Sequence, residues 1–219
     1  MLSAVVASFL RHRFAWLFTA LIATIGVDPA LDALGFAGRG LEWLLALSLL
    51  AALAGARREQ ASRASALGIG AVLVVWLFLH FVHLGPGLAL RRGLLAAATL
   101  WSAAVLLPYV LRAGRVDAER IAAALSAYLL VGLAFAGVFA ALDAAAPGAL
   151  GSAAARGPGP VSLDEAVYFS FVTLATLGYG DFVPLSSAAR ALAVLEAMFG
   201  QLYLAVLVAR LVSLYAREA

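Results

Sequence analysis

Six mainly apolar stretches, at 14–34, 40–56, 65–84, 93–112, 120–142 and 188–213, follow one another with only short polar breaks, and each approaches the length of roughly 20 residues that a helix needs to cross a bilayer. Composition agrees with a membrane protein: 65% of residues are hydrophobic and 12% charged, against roughly 25% charged in a soluble domain. The first stretch is the least regular, because Asp28 and Pro29 interrupt it. All 15 basic residues are arginine, and they cluster in the breaks rather than along one polar face, so the net charge of +3 points to membrane topology and not to nucleic acid. With the amino terminus inside, ten arginines fall in inner breaks and five in outer ones, which predicts a multi-pass protein of the plasma membrane with both termini cytoplasmic. Residues 1–10 are apolar and precede Arg11-His12-Arg13, the reverse of a cleaved signal peptide, so the amino terminus is expected to be retained. The absence of cysteine excludes disulfides and thiolate metal sites.

Residues 143–184 differ in character from the spans around them. The first part, 143–160, is rich in Ala, Gly and Pro and reads as a surface loop. Ser162-Leu163-Asp164-Glu165 then has the form of a capping box, with each terminal residue placed to satisfy the other's backbone amide. It predicts a helix over 163–175, with Asp164 and Glu165 in the first turn where the positive helix end favours them. Such a helix is too short to span. Lying between two spans, it is expected to dip into the bilayer and return, which is tolerated only where protein or a water-filled path surrounds the non-helical backbone.

Thr176-Leu177-Gly178-Tyr179-Gly180-Asp181 follows the short helix. A permeating cation must exchange its hydration shell for other oxygens, and rings of backbone carbonyls can supply them. Aiming successive carbonyls at one axis needs left-handed dihedrals, which are cheap only for glycine, and Gly178 and Gly180 stand at alternate positions. All six residues fit the signature of potassium channels. Phe169-Ser170-Phe171-Val172-Thr173-Leu174-Ala175 and Phe182-Val183-Pro184 also resemble that family's pore region, and from about residue 117 to 216 the chain resembles the pore module of bacterial potassium channels.

That resemblance implies an all-α membrane fold of six spans, with a re-entrant pore helix and filter between the fifth and sixth. It divides the chain into a four-helix accessory domain, 1–115, and a pore domain, 116–219. The carbonyls of Thr176, Leu177, Gly178 and Tyr179, with the Thr176 hydroxyl innermost, would bind K+, the only ion or cofactor implied. Four chains close each ring, so the partners are three further copies of the chain and the surrounding lipid. Gly180, Asp181, Tyr168, Phe169 and Thr173 would support the filter, with Tyr179 pointing into a cuff that includes Tyr168 and Phe169. The sequence departs from the family where a Glu or Trp commonly bonds the Asp after the filter: those places hold Val172, which cannot pair with Asp181, and Tyr168, which can donate through its hydroxyl.

Gly200 lies 19 residues after Asp181, the family's spacing for a hinge. Glycine inside a helix costs about 1 kcal/mol against alanine, so it needs a reason, which is either a hinge or a close helix contact. Gln201 would face the cavity below the filter, with Leu204, Val208 and Val212 lining the lower pore. Glu196, inside the last span, needs a partner or a proton and is expected to brace the short helix through Ser170 or Thr173 of its own or a neighbouring chain. The fourth stretch has no arginine from 93 to 111, whereas each charge moved across the membrane gains only about 2.3 kcal/mol per 100 mV, so weak or absent voltage dependence is expected. The span ends close to Ala219, leaving no expected room for a cytoplasmic ligand-binding domain, and His80 and His83 read as interface anchors. No nucleophile–base pair, phosphate loop or metal-spaced cluster suggests an enzyme. The rival expectation is a pore-like subunit that conducts poorly, unselectively or not at all.

Overall fold

The computed structural model describes residues 12–33, 87–111, 117–152 and 159–215. The expected second and third spans, 40–56 and 65–84, lie outside these residues, as do His80, His83 and the boundary near residue 115. The first helix, α1 (Arg13–Ala33), continues through Asp28 and Pro29, although its apolar part ends at Gly26. It is followed by α2 (Gly87–Leu111), α3 (Ala118–Ala145), the short strand β1 (Leu150–Ser152), α4 (Leu163–Leu174), the strand β2 (Phe182–Pro184) and α5 (Ser187–Tyr215). Among the described residues α2, α3 and α5 are long and apolar enough to cross a membrane.

The central element is α3. Asp117 caps it by accepting from the Arg120 amide at 2.8 Å, and its Ala-rich sequence lets α1, α2, α4 and α5 all pack against it. Leu130, Ala136 and Phe139 on this helix are fully buried. The approach of α2 is close enough that a β-carbon at Gly137 would sit 2.8 Å from that of Ala96. Arg92, which flanks the fourth apolar stretch in sequence, lies inside α2 and is buried; its Nη1 donates to the Ala140 carbonyl at 3.1 Å. Burial without a hydrogen bond is what a guanidinium cannot sustain, and the end of α3 supplies the acceptor.

Contacts fix the relative direction of the helices. Phe14 at the start of α1 donates its amide to Glu119 at the start of α3 at 3.0 Å, and packs 4.6 Å from the ring of Tyr109 near the end of α2. Tyr203, in the second half of α5, donates to the Ala124 carbonyl at 2.6 Å. The first turns of α1 and α3 therefore share one end of the bundle with the last turns of α2 and α5.

The two strands were not foreseen from sequence. They pair antiparallel, Leu150 with Pro184, Gly151 with Val183 and Ser152 with Phe182, and tie the loop after α3 to the chain that follows residues 176–181. They are too short to leave a hydropathy pattern.

Candidate ion pathway

The capping box forms at the start of α4: the Glu165 amide donates to Ser162 Oγ at 3.3 Å, and the Ser162 amide donates to Glu165 Oε2 at 2.8 Å. At the other end, the amides of Ala175, Thr176 and Leu177 donate back to the carbonyls of Phe171, Thr173 and Val172 at 2.9–3.0 Å, and the Gly178 amide reaches Val172 at 3.4 Å. These bonds satisfy carbonyls that a helix terminus leaves open. They also draw the N–H groups of Thr176, Leu177 and Gly178 to one side.

Thr176, Gly178 and Gly180 have φ of 57°, 59° and 77°. In an ordinary strand successive carbonyls alternate sides; a left-handed residue at every second position cancels that alternation and leaves the carbonyls on the side opposite the amides. The two glycines were legible in the sequence. Thr176 was not, because a β-branched residue at positive φ is a genuine outlier. Such strain, of order 1–3 kcal/mol, persists only where surroundings over-determine it. Here the Thr176 amide is held by Thr173, and its hydroxyl accepts from Gln201 Nε2 at 3.3 Å. Among the described residues the carbonyls of Thr176, Leu177, Gly178 and Tyr179 accept no hydrogen bond.

Behind the filter, the Tyr168 hydroxyl donates to Asp181 Oδ2 at 2.6 Å, and the Phe182 amide donates to Oδ1 at 3.0 Å. The bond to Asp181 raises the Tyr168 phenol above its ordinary value, which keeps it a donor. Val172 is buried and takes no part in this pairing; its carbonyl serves the Leu177 and Gly178 amides instead. Phe169, expected in a cuff around Tyr179, turns instead into the core, edge-on to Phe139 with ring centroids 4.9 Å apart and 6.1 Å from Phe182. Thr173 contributes its carbonyl to the Thr176 amide. Leu177 and Tyr179 are 56% and 67% exposed, so the described residues leave the 176–181 segment uncovered.

On α5, Glu196 is fully buried and hydrogen-bonded to Ser170 of α4 rather than to Thr173. Gly200 meets the end of α4: a β-carbon there would run into the Leu174 carbonyl oxygen, so packing alone demands glycine. The helix passes through Gly200 unbroken. Gln201, Leu204 and Val208 are exposed on this chain; the Val212 side chain lies outside the described residues.

The residue that sequence reasoning missed is Asp143. Assigned to a surface loop, it is fully buried at the end of α3, where Oδ1 accepts from the amides of Gly148 and Leu150 at 3.1 Å and Oδ2 from Val161 at 2.7 Å. One carboxylate thus organises the loop before α4. An acid closing a long apolar run just before Pro147-Gly148 was the available signal. Asp143→Ala leaves three backbone donors without this acceptor, each worth about 1–3 kcal/mol if buried. A marked fall in the thermal midpoint is expected, with Asp143→Asn intermediate because it keeps one acceptor oxygen; melting curves of the purified protein check both.

Residues 127–217, from within α3 past the end of α5, match a family model described as ion channel. No curated protein and no solved structure matches the chain. The part of the chain that holds the short helix, the Thr176–Asp181 segment and α5 is therefore similar to an ion-channel domain, a transport and not a catalytic class.

Proposed function

We propose that the chain is one subunit of a homotetrameric, potassium-selective channel of the plasma membrane, with six spans, both termini cytoplasmic and α4 as a re-entrant pore helix. The observation that carries the proposal is the filter backbone: residues at 176, 178 and 180 are left-handed, and the carbonyls of 176–179 lack partners within the chain. These residues are exposed on the single chain; in a ring of four such strands their carbonyls would face one another, and a dehydrated K+ at the centre would take the place of water. The lack of cover over Leu177 and Tyr179 favours neighbouring copies around a common axis. So does the outer face of α5, where Val194, Leu195, Met198, Leu202 and Val206 are exposed.

The Thr176 hydroxyl is the innermost donor, steadied by Gln201, and Leu204 and Val208 line the path below it. Arg92 is held by Ala140 inside the helix packing and has no free travel, which supports weak voltage dependence. Purified protein in liposomes should pass K+ far faster than Na+ and be blocked by Ba2+, a divalent ion of similar size to K+. Equal K+ and Na+ flux would instead establish an unselective pore, and no flux a non-conducting subunit.

A further inference from the structure

Glu196 sits where three helices meet, and counting hydrogens there decides its state. Ser170 Oγ, on α4, lies 2.7 Å from the carbonyl oxygen of Gly132 on α3 and within hydrogen-bond distance of Glu196 Oε1 on α5. Two oxygen pairs at such separations require two hydrogens, since bare oxygens in contact repel. A serine hydroxyl has one hydrogen, and a carbonyl has none. The second hydrogen must come from Glu196.

The surroundings agree. Glu196 Oε2 has no hydrogen-bond partner, and among the described residues no arginine or histidine pairs with this carboxyl. Among the described residues the titratable group that senses it is a phenol, Tyr128 on α3, whose hydroxyl is directed to the carbonyl of Leu174 at 3.5 Å; Tyr203, further along α5, donates to Ala124. No titratable residue of α4 faces it; Asp164 and Glu165 are in that helix's first turn. Because Glu196 is fully buried within its own chain, a neighbouring copy cannot bring a charge to it. An ionised carboxylate with a single hydrogen bond in such a place is far costlier than a neutral acid.

We infer that Glu196 carries a proton in the native channel and acts as a positioning residue: it donates to Ser170, Ser170 donates to Gly132, and this relay fastens α4 between α3 and α5. A proton on Glu196 gives each of the two oxygen pairs a hydrogen of its own. Through α4 the relay holds the residues that set the filter, since Val172 and Thr173 accept the filter amides one turn beyond Ser170.

The inference makes a prediction opposite to that for an ion pair. A neutral amide of the same shape reproduces the donor, so E196Q should keep tetramer stability and flux, whereas E196A and S170A should lose most of both. Raising the pH should weaken wild type as the proton is removed and leave E196Q unaffected. Infrared spectra of the reconstituted protein at neutral pH should contain a protonated-carboxyl carbonyl band that is absent from E196Q and undiminished in other acid-to-amide variants. The inference is overturned if E196Q is as damaged as E196A, if the band is missing from wild type, or if the alkaline loss persists in E196Q. Should E196A fail to fold, S170A carries the same comparison. The flux and tetramer arms rest on the channel proposal; the infrared band does not. A wild-type protein that shows the band yet conducts nothing would sink the channel proposal alone.

Discussion

If the chain forms the proposed potassium channel, replacing Gly178 with alanine is expected to abolish the preference for K+ over Na+ while leaving the proposed four-chain assembly intact. The obstacle is torsional, not steric: Gly178 has φ of 59°, and nothing within 4 Å would meet an added β-carbon in its own chain. An L-residue held left-handed costs roughly 1–2 kcal/mol, which over four copies becomes roughly 4–8 kcal/mol. The backbone relieves it most easily by turning the peptide, which swings a carbonyl off the axis and puts an N–H in its place. A donor facing a cation removes the reason for dehydration. In liposomes the ratio of K+ to Na+ flux should fall to about unity, since 4 kcal/mol already corresponds to roughly a thousandfold in an equilibrium. Unchanged ion preference in assembled Gly178→Ala would remove the basis of the proposed filter.

Gly200→Ala is expected to act by the opposite route. Gly200 lies inside a regular helix, where alanine is the better residue by about 1 kcal/mol, but its β-carbon would strike the backbone oxygen of Leu174. A backbone atom at the end of α4 cannot swing aside as a long side chain can. Either α5 retreats or α4 is pushed outward, with overpacking typically costing 1–3 kcal/mol per subunit. The movement would also draw Gln201 from the Thr176 hydroxyl and release the strained φ it helps hold. The thermal midpoint of the tetramer should fall and flux should drop with it. A variant of normal stability with altered opening alone would instead identify Gly200 as a hinge.

These two glycines separate what could be known early from what could not. Gly178 and Gly180 declare their need within six contiguous residues, as does the capping box that starts α4, because the interactions involved span only three or four positions along the chain. The long apolar helices α2, α3 and α5 were likewise legible, since bilayer thickness sets a length that sequence displays directly. The bond between Tyr168 and Asp181 lay at the edge of legibility, reachable only by counting back from a recognised segment.

The amino-acid sequence by itself determined three long apolar helices, the short capped helix and the positions of the two left-handed glycines. Tertiary structure decided the left-handed Thr176, the burial of Asp143, the inward turn of Phe169, the close contact at Gly200 and the meeting of Glu196 with Ser170. The physical reason is range: dihedral cost and helix capping are properties of neighbours in the chain, whereas a clash, a buried donor or a hydrogen count depends on which distant residues packing brings together. Gly132, Ser170 and Glu196 are separated by 38 and 26 residues, and their chemistry exists only where α3, α4 and α5 meet.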